Sequence, residues 1–148
     1  MKACTFFGHR ELFENLESAL YQAIENLIVH ESVDTFYVGN HGQFDALVRR
    51  VLKNLEKKYS IHYAVVLAYM PTGKNEYEDI SDTMLPEGLE SVHPRYAIDR
   101  RNKWMIDHSN FVITYVTHSW GGAAKYVSLA ERKSKTIIKL SGEQCKAP

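Results

Sequence analysis

Apolar positions along the chain follow two alternating spacings, one short and continuous, the other helical. The run Lys2 to Phe7 predicts a strand, closed by Gly8-His9-Arg10. Leu12, Phe13, Leu16, Ala19, Leu20, Ala23, Ile24, Leu27 and Ile28 then recur on one helical face, which predicts a long amphipathic helix to about His30. The same alternation returns with the strand Thr35-Phe36-Tyr37-Val38, the turn Gly39-Asn40-His41-Gly42, and a helix whose apolar face is Phe44, Leu47, Val48, Val51, Leu52 and Leu55. Ile61 to Leu67 reads as a third strand. The pattern then dissolves over residues 70–95, with three of the four prolines in PTGKNEYEDISDTMLPEGLESVHPRY, and predicts a long loop or flap with a short strand or turn near Met84-Leu85. Order resumes with a basic helix carrying Arg100, Arg101, Asn102 and Lys103. After it come the strand Phe111 to Val116, the turn Gly121-Gly122, a helix to about Lys133 and a strand Thr136 to Leu140, with a frayed tail from Ser141 to Pro148.

Strand, glycine turn and helix in repetition is the pattern of a parallel sheet, since parallel neighbours need a helical crossover and are buried on both faces. The expectation is a single α/β domain over residues 1–148, a three-layer sandwich with a mostly parallel sheet of about five strands and helices on both faces. In such sheets ligands bind beyond the carboxyl ends of the strands. All three glycine turns (Gly8, Gly39 with Gly42, Gly121 with Gly122) should therefore fall on one rim, where helix N-termini favour anions. Neither GxGxxG nor GxxxxGK[ST] occurs, which argues against a standard dinucleotide fingerprint or a P-loop.

Charge and cysteine content narrow the partners. Eighteen Lys and Arg balance eighteen Asp and Glu, so there is no global attraction to nucleic acid or an anionic membrane. Cys4 and Cys145 have no zinc-type spacing, and the histidines have no ligand spacing, so no metal site is expected. Reduced thiols, the lack of a signal-like start and the absence of a membrane-length apolar run fit a cytoplasmic protein. A homo-oligomer is left open.

Several rim residues carry candidate chemistry. The planar fork of Arg101 can bind a phosphate bidentately, beside Asn102 and the glycine turn. Asp45 can accept from a ribose hydroxyl, or serve only as a first-turn acid. His9 and His41 can donate to phosphate or act in acid-base chemistry, or simply be solvated. Arg10 adds a cation to the first turn, while Tyr126 and Trp120 can stack on a base or pack as ordinary aromatics. Asp107, six residues past Arg101, is better placed for a contact at the helix C-terminus or a neighbouring strand than for supporting Arg101.

FFGHR, VGNHGQFDALV, RRNKWMIDHSNFVITY and GGAAKYVSLAERKSKTIIKL together resemble the SLOG superfamily, Rossmann-like domains related to DprA/Smf and the Lonely Guy proteins. The likeness is greatest to its small YpsA-like members and spans nearly the whole chain except residues 70–95. It implies a Rossmann-like fold that binds or senses a nucleotide or nucleotide-derived anion at the glycine-rich rim, with no further cofactor. The alternative it implies is a hydrolase or transferase acting on a nucleotide N-glycosidic bond, and a weaker one is DprA-like nucleic-acid binding, opposed by the neutral charge. Against the Lonely Guy motif, Arg101, Gly121 and Gly122 match, while Asn102 stands at the lysine, Trp120 at the proline, Ala124 at the third glycine, Lys125 at the threonine and Ser128 at the glutamate. Without that glutamate, turnover would need an acid from the loop, among Glu76, Glu78, Asp79, Asp82 and Glu87.

Overall fold

The computed structural model describes residues 2–12, 14–68, 83–117 and 120–140. Phe13, the tail from residue 141 with Cys145, and the loop acids Glu76, Glu78, Asp79 and Asp82 lie outside them. Six strands form one all-parallel sheet: β1 (Ala3–Gly8), β2 (Thr35–Val38), β3 (His62–Val66), β4 (Thr83–Met84), β5 (Phe111–Tyr115) and β6 (Thr136–Lys139), in the order β4-β3-β2-β1-β5-β6. The sixth strand, beyond the five expected, is β4. Its two residues pair with Val65 and Val66, and it falls where a short strand or turn is expected near Met84-Leu85.

Alternation along the strands divides the core. Cys4, Phe6, Phe36, Val65, Ile113 and Tyr115 point to the face covered by α1 (Glu17–Glu31) and α2 (Gly42–Glu56). Phe7, Val66 and Val112 point to the other, under α3 (Pro94–Asp107) and α4 (Gly122–Arg132). Cys4 is fully buried, and burial pushes its thiol far above the ordinary range, so it acts as a small apolar side chain. Leu20, Ile24 and Leu27 form the buried stripe of α1.

That helix starts later than its apolar period suggests. The Asn15 side chain accepts the Glu17 N–H at 3.1 Å, and the Leu12 N–H donates to Gln43 Oε1 at 2.7 Å, so Leu12 belongs to a loop tied to α2. Conversely, α3 begins inside the segment expected to be loop. Pro94 occupies its first turn, and His93 Nδ1 accepts the Arg95 N–H at 3.1 Å. Among the described residues no helix is long and apolar enough to cross a membrane.

Chain order reverses at β1: β2, β3 and β4 lie to one side, β5 and β6 to the other. Gly8 pairs with Tyr115, so β1 and β5 end flush at the rim where a crevice should open.

Candidate functional site

A cavity of about 350 Å³ occupies that crevice, lined by the end of β1, the starts of α2 and α4, and the middle and C-terminal part of α3. The end of β1 gives Phe6, Phe7, Gly8, His9 and Arg10; α2 and its cap give Asp45 and His41; α3 gives Ile98, Arg101, Asn102 and Met105; α4 gives Gly122, Ala123 and Tyr126. Nine of the twelve rim residues singled out in the sequence are thus brought together. Gly39, Gly42 and Gly121 do not line the cavity, and they shape its borders instead.

Gly39 sits between Asp45 and Arg101. A β-carbon there would stand 2.7 Å from Asp45 Oδ2 and 3.1 Å from Arg101 Nη1, so only glycine lets the turn pass between them. Gly42 has φ +90°, and a β-carbon on it would meet the Arg10 backbone at 2.8 Å. The Gln43 N–H donates to the Arg10 carbonyl at 2.7 Å, which ties the two rim turns together.

Arg101 departs from its expected role. Its side chain is buried at 3% exposure, and its fork is committed to protein. Nε donates to Asn102 Oδ1 at 2.7 Å, Nη1 to Asn40 Oδ1 at 3.1 Å and to the Val66 carbonyl at 3.0 Å, and Nη2 reaches His41 Nδ1 at 3.4 Å. A bidentate grip on phosphate would break this set, so the residue acts as a post that joins α3 to the β2 and β3 rim and as a buried positive charge. Its basic neighbours do not reach the cavity lining: Arg100 is exposed, and Lys103 pairs with Asp99 at 3.0 Å. Asp107 ends α3 and pairs with Lys133.

The two rim histidines have fixed tautomers. The Thr117 N–H donates to His9 Nε2 at 2.8 Å, and a backbone amide can only donate, so His9 is neutral with its proton on Nδ1. Arg101 can only donate, so His41 Nδ1 accepts and its proton lies on Nε2. Burial, then the nearby Arg101, hold the His41 pKa below its ordinary value. Each ring thus carries one N–H donor.

Asp45 is the opposite case. Its Oδ2 accepts the His41 N–H at 3.1 Å, and burial pushes its carboxyl up against the lowering pull of that hydrogen bond and of Arg101, Arg49 and Arg10. Burial is the larger effect, so the fold holds this acid at a cost.

α4 opens on Gly121 with φ 95°, and no side chain caps it, while Gly122 and Ala123 line the cavity. The first amides of an uncapped helix lack intrahelical partners, and their geometry and the helix dipole favour negative charge there. Tyr126, one turn on, stacks on Phe7 with centroids 5.5 Å apart and donates its hydroxyl to Asp99 Oδ1 at 2.6 Å. Lys125 reaches the same carboxylate at 3.2 Å. The Tyr126 hydrogen bond is the main reason the Asp99 pKa falls to about 2, and burial followed by Asp99 raises the Tyr126 phenol to about 12. Asp99 was not singled out in the sequence, although Asp99 and Lys103 at i and i+4 were a visible signal. Phe6, Phe7, Ile98, Met105 and Ala123 also line the cavity and were not singled out, since an apolar side chain on a strand or helix carries no signal that separates a cavity wall from the core.

Trp120 is 69% exposed and does not line the cavity. Ser128, at the glutamate position of the hydrolase motif, is exposed on α4, and Glu87 is exposed as well; neither reaches the cavity lining. Among the described residues no cluster of three or more His, Cys, Asp or Glu side chains could hold a metal. No family model matches the chain, and no curated protein matches it either.

Proposed function

We propose that this crevice binds a nucleotide or nucleotide-derived anion and does so without ordinary hydrolytic turnover. The observation that carries the reading is the uncapped start of α4 opening into the cavity, with Gly122 and Ala123 in its lining. Around it, the exposed Arg10 and the buried charge of Arg101 supply a donor and positive potential. Slow turnover follows from Ser128 and Asn102, which stand where the resembling hydrolases carry glutamate and lysine.

Calorimetry with AMP and adenosine tests the reading. AMP should bind and adenosine should not, and Arg10→Ala should weaken AMP by about ten- to a hundredfold, as expected for one charged hydrogen bond of roughly 1.5–3 kcal/mol. Equal affinities for the two ligands would sink it. A second reading, cleavage of an N-glycosidic bond, is favoured by one observation: Asp45 is a carboxylate that lines the cavity, with its basicity raised. Release of adenine from AMP at an ordinary enzymatic rate, abolished by Asp45→Asn, would establish that reading.

A further inference from the structure

The face of the sheet under α1 and α2 is covered unevenly. α2 packs on β1, β2 and β3, but among the described residues no helix covers β6 on that side, where Ile138 and Leu140 are half-buried and Thr136 is exposed. Between α1 and the end of β6 runs an open groove of about 760 Å³, with Ala19, Gln22, Asn26 and Val29 on one wall and Lys139 and Leu140 on the other. Val29 is 54% exposed, although a large apolar side chain on a helix beside a sheet is ordinarily covered.

The groove is complementary to itself in size and in charge. Ala19, Gln22, Asn26 and Val29 are spaced three, four and three residues apart, so they form one stripe of α1, small at its start and large at its end. A second α1 laid antiparallel, with a two-fold axis over Ile24, sets Val29 of each copy on Ala19 of the other and Gln22 against Asn26, whose amides can exchange hydrogen bonds. Parallel helices would instead set Val29 on Val29. α1 carries Glu17, Glu25 and Glu31 with no Lys or Arg, while the segment from Lys133 through β6 to Lys139 carries lysines and no acid. Glu17 pairs with Arg50 and Glu25 with Lys58, but Glu31 and Lys139 are exposed and form no ion pair among the described residues. Since α1 runs opposite to the strands, an antiparallel copy brings its C-terminal end, negative by its carbonyls and Glu31, to the end of β6 where Lys139 stands. A net charge of zero leaves no overall repulsion between copies.

We infer that this face is the interface of a symmetric dimer of the chain, with α1 of each copy seated in the groove between α1 and β6 of the other. Analytical ultracentrifugation of the full chain over a dilution series tests it. The wild type should form a dimer that dissociates on dilution. Val29→Glu should weaken the dimer by about thirtyfold or more, as expected for a buried apolar anchor, and Lys139→Glu by about fivefold, regained when Glu31→Lys is added. Val29 and Lys139 are exposed, so both variants should keep the wild-type circular dichroism. In a Cys145→Ser background, Ala19→Cys together with Val29→Cys should oxidise to a covalent dimer, and Val29→Cys alone should not. A wild type that stays monomeric throughout overturns the inference. So does a dimer untouched by Val29→Glu, which lies on another face, or crosslinking by Val29→Cys alone, which requires parallel helices.

Discussion

Replacing Arg101 with alanine should unfold the rim rather than merely weaken a ligand. The guanidinium makes hydrogen bonds to Asn102, Asn40 and the Val66 carbonyl and contacts His41, all at a residue only 3% exposed. Val66 is itself fully buried, so its carbonyl would lose a donor that water cannot readily replace. Asp45 would also lose the positive charge that does most to offset its burial. Removing one partner from a buried charged network typically costs about 3–5 kcal/mol. For a chain of 148 residues, each kcal/mol moves the midpoint by roughly 2–4 °C, so Arg101→Ala should lower Tm by roughly 6–20 °C. Arg101→Lys should recover little, because one ammonium cannot span donors placed on Nε, Nη1 and Nη2. Thermal unfolding followed by circular dichroism decides the matter. A Tm within about 2 °C of wild type for Arg101→Ala, with ligand affinity abolished, would show that the fork serves the ligand and not the rim.

Other outcomes follow from the same geometry. Asp45→Asn should raise Tm at neutral pH and lose that advantage in acid, since an acid whose folded pKa is raised contributes stability below its unfolded pKa and forfeits it as pH rises through the folded one; a Tm gain that is the same at every pH would contradict this. Asp99, with a carboxyl lowered to about 2, behaves oppositely. Asp99→Asn should destabilise above about pH 4, the effect fading toward pH 2, and should bring the Tyr126 phenol down from about 12 while leaving it above normal, because burial is the larger cause; titration of phenolate absorbance reads this directly. Nitrogen NMR should find His9 protonated on Nδ1 and His41 on Nε2, and the reverse in either ring would contradict the hydrogen bonds to Thr117 and Arg101. Gly42→Ala should cost about 2–4 kcal/mol in denaturant unfolding, from its left-handed backbone together with the clash against Arg10.

The sheet was legible because both buried faces of a parallel strand leave a continuous apolar run, as in Phe111 to Tyr115, and because each glycine turn marks a strand end. Fold and rim therefore followed from local pattern. Direction did not: one residue determines whether a cation faces water or the core, and nothing near Arg101 distinguishes it from Arg100 except the helical angle and a partner 61 positions away at Asn40. Long-range contacts of that kind also hid the tautomers of His9, set by Thr117, and the orientation of Tyr126, set by Asp99. The start of α1 was misjudged because a side chain, Asn15, competes for the amide that a longer helix would use. The start of α3 was missed because its capping histidine and first proline read as loop.

The amides of Gly122 and Ala123 test the central claim most directly, since the proposal places an anion on them. Proton–nitrogen NMR of the labelled protein, titrated with AMP and separately with adenosine, reports on each amide. The account predicts that AMP shifts Gly122 and Ala123 downfield in a saturable way, together with the Arg10 and His41 amides, while adenosine leaves them in place. Shifts that adenosine reproduces, or AMP shifts confined to the α1 groove lined by Gln22, Asn26 and Val29, would contradict it.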